Sequence, residues 1–466
     1  MKKSKGTRKR SEKKTARGAG RLSKEELRQI NPDAAGIDIG SREHFVCVPA
    51  GRDEKRVRSF GTFHADLERL AQWLKDCGVR MVAMESTGVY WVPLFQILEK
   101  AGFEVILVNA KHVKNVPGRK TDMLDCQWLQ QLHTFGLLRG CFRPPDEICV
   151  LRSYLRMRED LVRDRSRQIL LMQKALQQMN VQLHHVLSDI TGESGLAVIR
   201  AIVAGERDPR ELVKAVNARV EAPTRKIISA LSGDYRPEHL FALQIALELY
   251  DSYSQKMIRC EEAIGQALSQ LESKTSAETA PLGPAKRNLR ASEGADAKAV
   301  RQELYRVSGA DLTAIEGISV RTAQIILSEI GVDMSRWPTE KHFTSWLGLC
   351  PNRKVSGGRV LSSQTRRVAN HVRRALRMSA TTLRASKSGL GGYFRRMQSR
   401  LGAPAAITAA AHKLARIVYR LLKYGEAYVK EGLEQFENRS KERMVNALVR
   451  NAKRLGYELV AQPASA

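Results

Sequence analysis

Ala34-Ala35-Gly36-Ile37-Asp38-Ile39-Gly40 sets one carboxylate inside a run of small and branched apolar residues. The run is short and closed by a glycine, which predicts a buried strand leading into a turn. A charge in such a strand is costly unless it faces an edge, a partner or a metal ion. Taken alone, Asp38 has two readings of equal weight: a functional residue, or an aspartate that begins the turn. Downstream, Phe45-Val46-Cys47-Val48 predicts a hairpin partner and Arg56 to Phe60 a third strand. Leu67, Leu70, Ala71 and Leu74 recur at helical spacing. Val79 to Met84 is a further apolar strand and ends in Glu85. Leu94, Ile97 and Leu98 mark a helix that Gly102 stops, and Val105 to Val108 form a fifth strand. Thr121 suits the cap of a helix through Leu124, Trp128, Leu129 and Leu132. Three strands followed by helix, strand, helix, strand and helix make an α/β layer pattern.

Four acids fall at the ends of these elements. Asp38 lies in the first strand, Glu85 ends another, and Asp122 and Asp125 are three apart at a helix start, on one face. Singly, each has an ordinary reading: a turn aspartate, an arginine partner, a charge favoured by the helix dipole. Together, a strand-embedded Asp, a strand-end Glu and a helical Asp-x-x-Asp are what a ribonuclease-H-like nuclease needs. Hard oxygen ligands suit Mg²⁺ or Mn²⁺ and not zinc. Two such ions about 4 Å apart activate the attacking oxygen and stabilise the leaving one in phosphoryl transfer.

Gly36-Ile37-Asp38-Ile39-Gly40, Met84-Glu85-Ser86-Thr87-Gly88 and Lys120-Thr121-Asp122-Met123-Leu124-Asp125 resemble the bridge-RNA-guided insertion-sequence recombinases, also called DEDD transposases. The resemblance covers most of residues 31–430. It implies a Holliday-junction-resolvase-like domain over about 31–150, with Asp38, Glu85, Asp122 and Asp125 as the family's four metal-binding acids. The basic extension before Asp33 and the polar stretch 273–300 depart from the compact members and touch no candidate catalytic motif.

Beyond about residue 147 the pattern changes to long helices. Leu151, Leu155, Val162, Ile169, Leu176 and Met179 step at threes, fours and sevens, as do Phe241, Ile245, Leu249, Tyr253, Met257, Ile264, Leu268 and Leu271. Both read as coiled-coil seams or long bundle helices. The expected organisation is a disordered basic tail (1–30), the ribonuclease-H-like domain (31–146), a long helical, coiled-coil middle (147–272), a linker (273–300), a mainly α-helical C-terminal domain (301–430) and a helical tail (431–466).

In the C-terminal region, Leu312 to Ala323 resembles a helix-hairpin-helix, with Ser319 where a second glycine is usual. Such a hairpin can present backbone N–H groups to a phosphate; an ordinary tight turn is the alternative. Next, Ser356-Gly357-Gly358 predicts a flexible turn, with Arg353, Lys354 and Arg359 around the hydroxyl. No base at a diagnostic spacing stands out, and locally Ser356 reads as a loop serine. The resemblance reverses this: the family carries a catalytic serine in a C-terminal Ser-Gly motif, which Ser356-Gly357 matches, with Ser362 and Ser363 as nearby rivals. Arg366, Arg367, Arg373, Arg374 and Arg377 are expected to line a helix that packs through Val368, Val372, Leu376 and Met378 and turns its cations to phosphates.

The 466 residues carry a net charge of +29. Residues 1–28 hold twelve Lys/Arg against three acids, and residues 351–420 hold sixteen and no acid. A one-signed surface of that length predicts a polyanionic partner. No secretory signal or membrane-spanning run is visible, and seven cysteines without a CxxC pair fit a reducing cytoplasm. The resemblance implies DNA as substrate, a bridge-type guide RNA, and a homo-oligomer in which acids and serine act together. Two other readings stay open: a metal-dependent junction nuclease acting by hydrolysis, and a non-catalytic basic nucleic-acid-binding protein.

Overall fold

The computed structural model describes residues 28–86, 88–109, 113, 125–275, 282–284 and 297–460. The basic tail, most of the 273–300 linker, the Thr121 cap and Asp122 lie outside the described residues. The chain divides into two compact units after Arg143.

The first unit is built on β1 (Ala34–Ile39), β2 (Glu43–Cys47), β3 (Val57–Gly61), β4 (Met81–Glu85) and β5 (Glu104–Val108). They form one sheet in the order β3-β2-β1-β4-β5. The first three strands pair antiparallel, whereas β1–β4 and β4–β5 are parallel. Alternation along β1 sends Ala35, Ile37 and Ile39 to one face and Ala34, Gly36 and Asp38 to the other. The first face packs under α1 (His64–Asp76) and α2 (Trp91–Lys100) through Leu67, Leu70, Leu74, Leu94 and Leu98. The opposite face carries α3 (Asp125–Thr134), whose Trp128, Leu129 and Leu132 cluster with Val108 and Val113.

Among its described residues the second unit is helical, apart from one ribbon. Its frame is a pair of 33-residue helices, α4 (Asp146–Gln178) and α8 (Pro237–Ser269). They run antiparallel: Cys260 Sγ donates to Tyr154 O at 3.2 Å near one end, and Met172 and Leu176 cluster with Leu243 and Leu247 near the other. The short helices between them, α5 (Glu193–Val203), α6 (Pro209–Leu212) and α7 (Thr224–Leu231), close that second end over Val198, Ile199, Ile202, Leu212 and Leu231. The remaining helices are α9 (Ala297–Ser308), α10 (Val320–Ile330), α11 (Glu340–Trp346), α12 (His371–Thr382), α13 (Gly389–Leu401) and α14 (Ala403–Arg454), the last kinked at Gly425. Trp337, Phe343, Trp346 and Tyr419 form an aromatic cluster there, and Tyr419 Oη donates to Trp337 O at 2.7 Å.

The turn within the expected helix-hairpin-helix segment is tightly packed. Gly317 has φ 85°, and a Cβ on it would sit 2.9 Å from Ser379 O in α12. Ser319 caps α10, its hydroxyl accepting from Thr322 N at 3.1 Å. The glycine and the cap are thus used to pack α10 against α12.

Candidate active site

In the first unit, the parallel register of β1 and β4 sets Ile37 beside Met84. One residue further along each strand stand Asp38 and Glu85, at the carboxyl end of both. Because successive residues alternate faces, both point away from the face that holds Ile37 and Met84. That is the face on which α3 lies, and both carboxylates are half-buried.

The packing of α3 is set by backbone contact. A Cβ on Gly36 would meet Cys126 O and Gln130 N at 2.3 Å each. Gln130 Nε2 donates to Ala34 O at 3.3 Å, and Asn31 N to Thr134 O at 3.0 Å. The helix therefore runs antiparallel to β1 and begins at the end of the strand where Asp38 stands. Its first residue is Asp125, exposed. The Cys126 thiol is pushed up to about 12, chiefly by burial, with the neighbouring Cys47 thiol and the Asp38 carboxylate adding to the shift. Asp38, Glu85 and the start of α3 thus meet at one edge of the sheet. Among the described residues no three His, Cys, Asp or Glu side chains are grouped to hold an ion; Asp122 is not among them. The donor chemistry of the paired carboxylates suits a hard divalent cation.

Three polar groups in the first unit lack a hydrogen-bond partner among the described residues: His44 Nδ1, Trp128 Nε1 and His133 Nε2. Burial holds the His44 imidazole below its ordinary value and brings His133 down to about 4. Nothing in the spacing of these residues distinguishes them in the sequence.

In the second unit Ser356 ends β6 (Lys354–Ser356), and Arg359 begins β7 (Arg359–Ser362). Gly357 and Gly358 join them at φ 54° and 78°. Two consecutive positive φ values make the tight hairpin turn that suits the twist of paired strands. The flexible turn expected around Ser356 is therefore a defined ribbon tip, with Ser356 directly opposite Arg359. A Cβ on either glycine would meet nothing within 4 Å, and residues 351–361 are all exposed. The base of the ribbon is pinned by the Pro351–Thr365 bridge and by Asn352 N donating to Gln364 O at 3.0 Å. Of the rival serines, Ser362 Oγ accepts from Gln364 N at 3.3 Å, and Ser363 lies just beyond β7.

The arginine helix differs from expectation. Asn370 caps α12 by accepting from Arg373 N at 2.9 Å, so Arg366 and Arg367 precede the helix. An asparagine cap satisfies the first free N–H groups and fixes where the helix begins. Arg366 donates to Ser345 O. Arg373 donates to Arg366 O at 2.7 Å and to Thr365 Oγ1 at 3.2 Å. Arg374 reaches Glu159 Oε2 of α4 at 2.6 Å. Arg373 and Arg374 thus brace the ribbon base and the helix pair, whereas Arg353, Lys354 and Arg359 stand on the exposed ribbon.

Comparison with known proteins places these two regions. Residues 35–181 match a family model described as Transposase, of the DEDD IS110 type, and residues 309–394 match Transposase IS116/IS110/IS902 family. Over 122 residues the chain is 30% identical to the Insertion element IS110 uncharacterized 43.6 kDa protein of Streptomyces coelicolor, a match spanning 25% of this chain and 29% of that relative. Among the described residues no helix is long and apolar enough to cross a membrane.

Proposed function

Because the chain carries insertion-sequence transposase domains of the IS110 type, we propose that it is a DNA transposase that cuts and rejoins strands through a ribonuclease-H-like carboxylate site and a serine nucleophile. The observation that carries this reading is the placement of Asp38 beside Glu85 at the carboxyl end of parallel β1 and β4, where α3 begins. Strand order 3-2-1-4-5, with only the first three strands antiparallel, supports the ribonuclease-H-like assignment.

Asp38, Glu85, Asp122 and Asp125 would hold a divalent cation, Mg²⁺ or Mn²⁺, which would supply activation of the attacking oxygen and stabilisation of the leaving one. Asp38 and Glu85 come from rigid strands, which fixes their oxygens before DNA arrives and spares reorganisation during the reaction. Ser356 Oγ attacks the phosphorus. The new O–P bond forms as the P–O bond to the departing sugar breaks, and the departing hydroxyl takes up a proton equivalent to the one the serine gives up. The ester conserves the bond, so the strand is rejoined without ATP. Arg359, opposite Ser356, is placed to stabilise charge on the phosphate oxygens.

DNA is the substrate, and a bridge-type guide RNA selects donor and target by base pairing, leaving the protein to bind backbone and shape, as in other guided systems. The cationic ribbon and the acid-free window 351–420 support polyanionic partners of both kinds. The protein acts as a homo-oligomer in the cytoplasm. The deciding experiment reconstitutes the protein with its co-purified RNA and insertion-sequence DNA, with and without Mg²⁺. Metal-dependent strand exchange through a protein–DNA adduct is expected. Metal-dependent cleavage without an adduct establishes hydrolysis instead, and binding without cleavage establishes a non-catalytic protein.

A further inference from the structure

The ribbon that carries Ser356 also carries apolar side chains with no place in a phosphate-binding role. Val355 and Val360 are cross-strand partners, each 57% exposed, and Leu361 is 70% exposed. By alternation along the strands, Val355 and Val360 lie on the ribbon face opposite Ser356 and Arg359, while Leu361 falls at the bulge between the Val355–Val360 and Lys354–Ser362 pairs. The valine face of this ribbon is solvent-exposed, where a polar face is ordinarily found, so an apolar pair held this far out points to an occupant.

Charge says which occupant. The pair is flanked along the chain by Arg353, Lys354, Arg359, Arg366 and Arg367, and no acid occurs from residue 351 to 420. A protein partner would have to bring matching acids to this surface, whereas duplex DNA supplies phosphates on both sides of an apolar base stack. Proteins that distort DNA use this combination of cations on the backbone and aliphatic wedges between base steps. A two-stranded ribbon is also narrow enough to enter a groove.

We propose that Val355 and Val360 form a wedge that unstacks a base step of duplex DNA next to the phosphate presented to Ser356. The inference rests on the reading that the ribbon addresses DNA. Its chemical consequence is local: a strained, unstacked step holds the scissile phosphate away from the regular helix, within reach of a short serine side chain at a ribbon tip. Flexible pyrimidine–purine steps are the cheapest to open in this way.

The test uses the full-length protein and a mixed-sequence duplex containing T-A steps, probed with permanganate, which oxidises unstacked thymines. Wild-type protein is expected to raise thymine reactivity severalfold at particular steps. V355T/V360T keeps shape and strand propensity but wets the wedge. It is expected to return reactivity to that of free DNA while the salt dependence of binding stays unchanged, and V355I/V360I is expected to retain the opening. Unchanged reactivity in V355T/V360T overturns the wedge. So does a change in oligomeric mass with reactivity intact, which assigns the pair to a second copy of this chain. Wild-type protein that forms a DNA adduct without exposing thymines overturns the wedge alone; wild-type protein that does not bind the duplex overturns both the wedge and the reading beneath it.

Discussion

Gly36 in β1 and Gln130 in α3 are in backbone contact, so close that a Cβ at residue 36 would lie 2.3 Å from the Gln130 nitrogen. This contact fixes the distance of α3 from the sheet, and with it the approach of the Asp125 end to Asp38. Gly36→Ala must push the helix off the strand, because backbone atoms cannot rotate away. We expect a loss of about 1–3 kcal/mol of stability from overpacking. The metal concentration giving half-maximal strand cleavage should also rise. Thermal unfolding and a metal titration on the same variant check both. A variant with wild-type metal dependence would show that α3 does not position the acids.

Asp38→Asn and Glu85→Gln keep size and remove charge. If these carboxylates hold the cation, each substitution should lower strand cleavage by roughly a thousandfold or more, given several kcal/mol of transition-state stabilisation. Nucleic-acid binding and the unfolding temperature should be nearly unchanged. Turnover within about tenfold of wild type, a difference of only about 1.4 kcal/mol, removes that residue from the site.

The pH dependence of the first unit follows from its buried histidines. His133 titrates at about 4 and His44 below its ordinary value, both because burial disfavours the charged ring. In the unfolded chain each binds a proton near about 6.5. Below that value the unfolded state holds more protons, so stability is full above about 6.5 and falls as the pH drops toward about 4. The loss from His133 is at most about 3 kcal/mol. Amide protection factors in β2 and α3, taken relative to the intrinsic exchange rate at each pH, should fall as the pH drops from about 7 to about 5. His133→Gln should flatten that response, and an unaltered profile would assign the acid sensitivity elsewhere.

The two sets of arginines should separate in binding experiments. Arg353, Lys354 and Arg359 on the ribbon are expected to meet phosphates. Replacing all three with alanine should weaken DNA binding and lower the salt slope by about 0.9 for each phosphate left unneutralised. Arg373→Ala instead removes two bonds to the ribbon base, at a stability cost of about 1–3 kcal/mol. The readouts are a salt series of binding isotherms and thermal unfolding. A reversal of the two effects would reverse the assignment.

Much of this architecture is legible in the chain. The β1 run and the strand ending at Glu85 declare themselves because buried strands need continuous apolar residues, and a carboxylate there stands out against them. The 3.6-residue period of α4 and α8 is equally plain. Pairing is not legible. The order β3-β2-β1-β4-β5, and the adjacency of Asp38 and Glu85 that depends on it, arise between segments far apart along the chain. The ribbon shows in the sequence only as a turn, since strands without a core have no inward-facing alternation. Arginine spacing alone extends the helix back to Arg366 and Arg367. The true boundary is written in Asn370, because an asparagine ahead of an apolar period is a cap by chemistry. The contact of Gly36 with α3 has no signal beyond the glycine itself.

The last prediction separates hydrolysis from strand transfer. A hydrolytic nuclease requires the acids and a water, whereas a serine recombinase passes through a protein–DNA ester. Ser356 stands at the tip of an exposed hairpin directly across from Arg359, where neighbouring side chains on one face lie about 5 Å apart. A phosphate held by that guanidinium is within reach of the hydroxyl, and the charge-assisted bond strengthens as the phosphate gains charge in the transition state. Ser362 is turned to the ribbon base, with its hydroxyl accepting from Gln364 N, and Ser363 lies past the end of β7. DNA trapped during the reaction should therefore be found on Ser356 by mass spectrometry of the linked peptide. Ser356→Ala should lose the adduct and recombination while binding DNA as before, and Ser362→Ala and Ser363→Ala should keep the adduct. Arg359→Lys retains charge but loses the planar fork, and should slow adduct formation by about tenfold or more, a cost of about 1.4 kcal/mol. An adduct on Ser362 or Ser363 moves the nucleophile along the ribbon. Efficient recombination by Ser356→Ala leaves the carboxylate site to act through water.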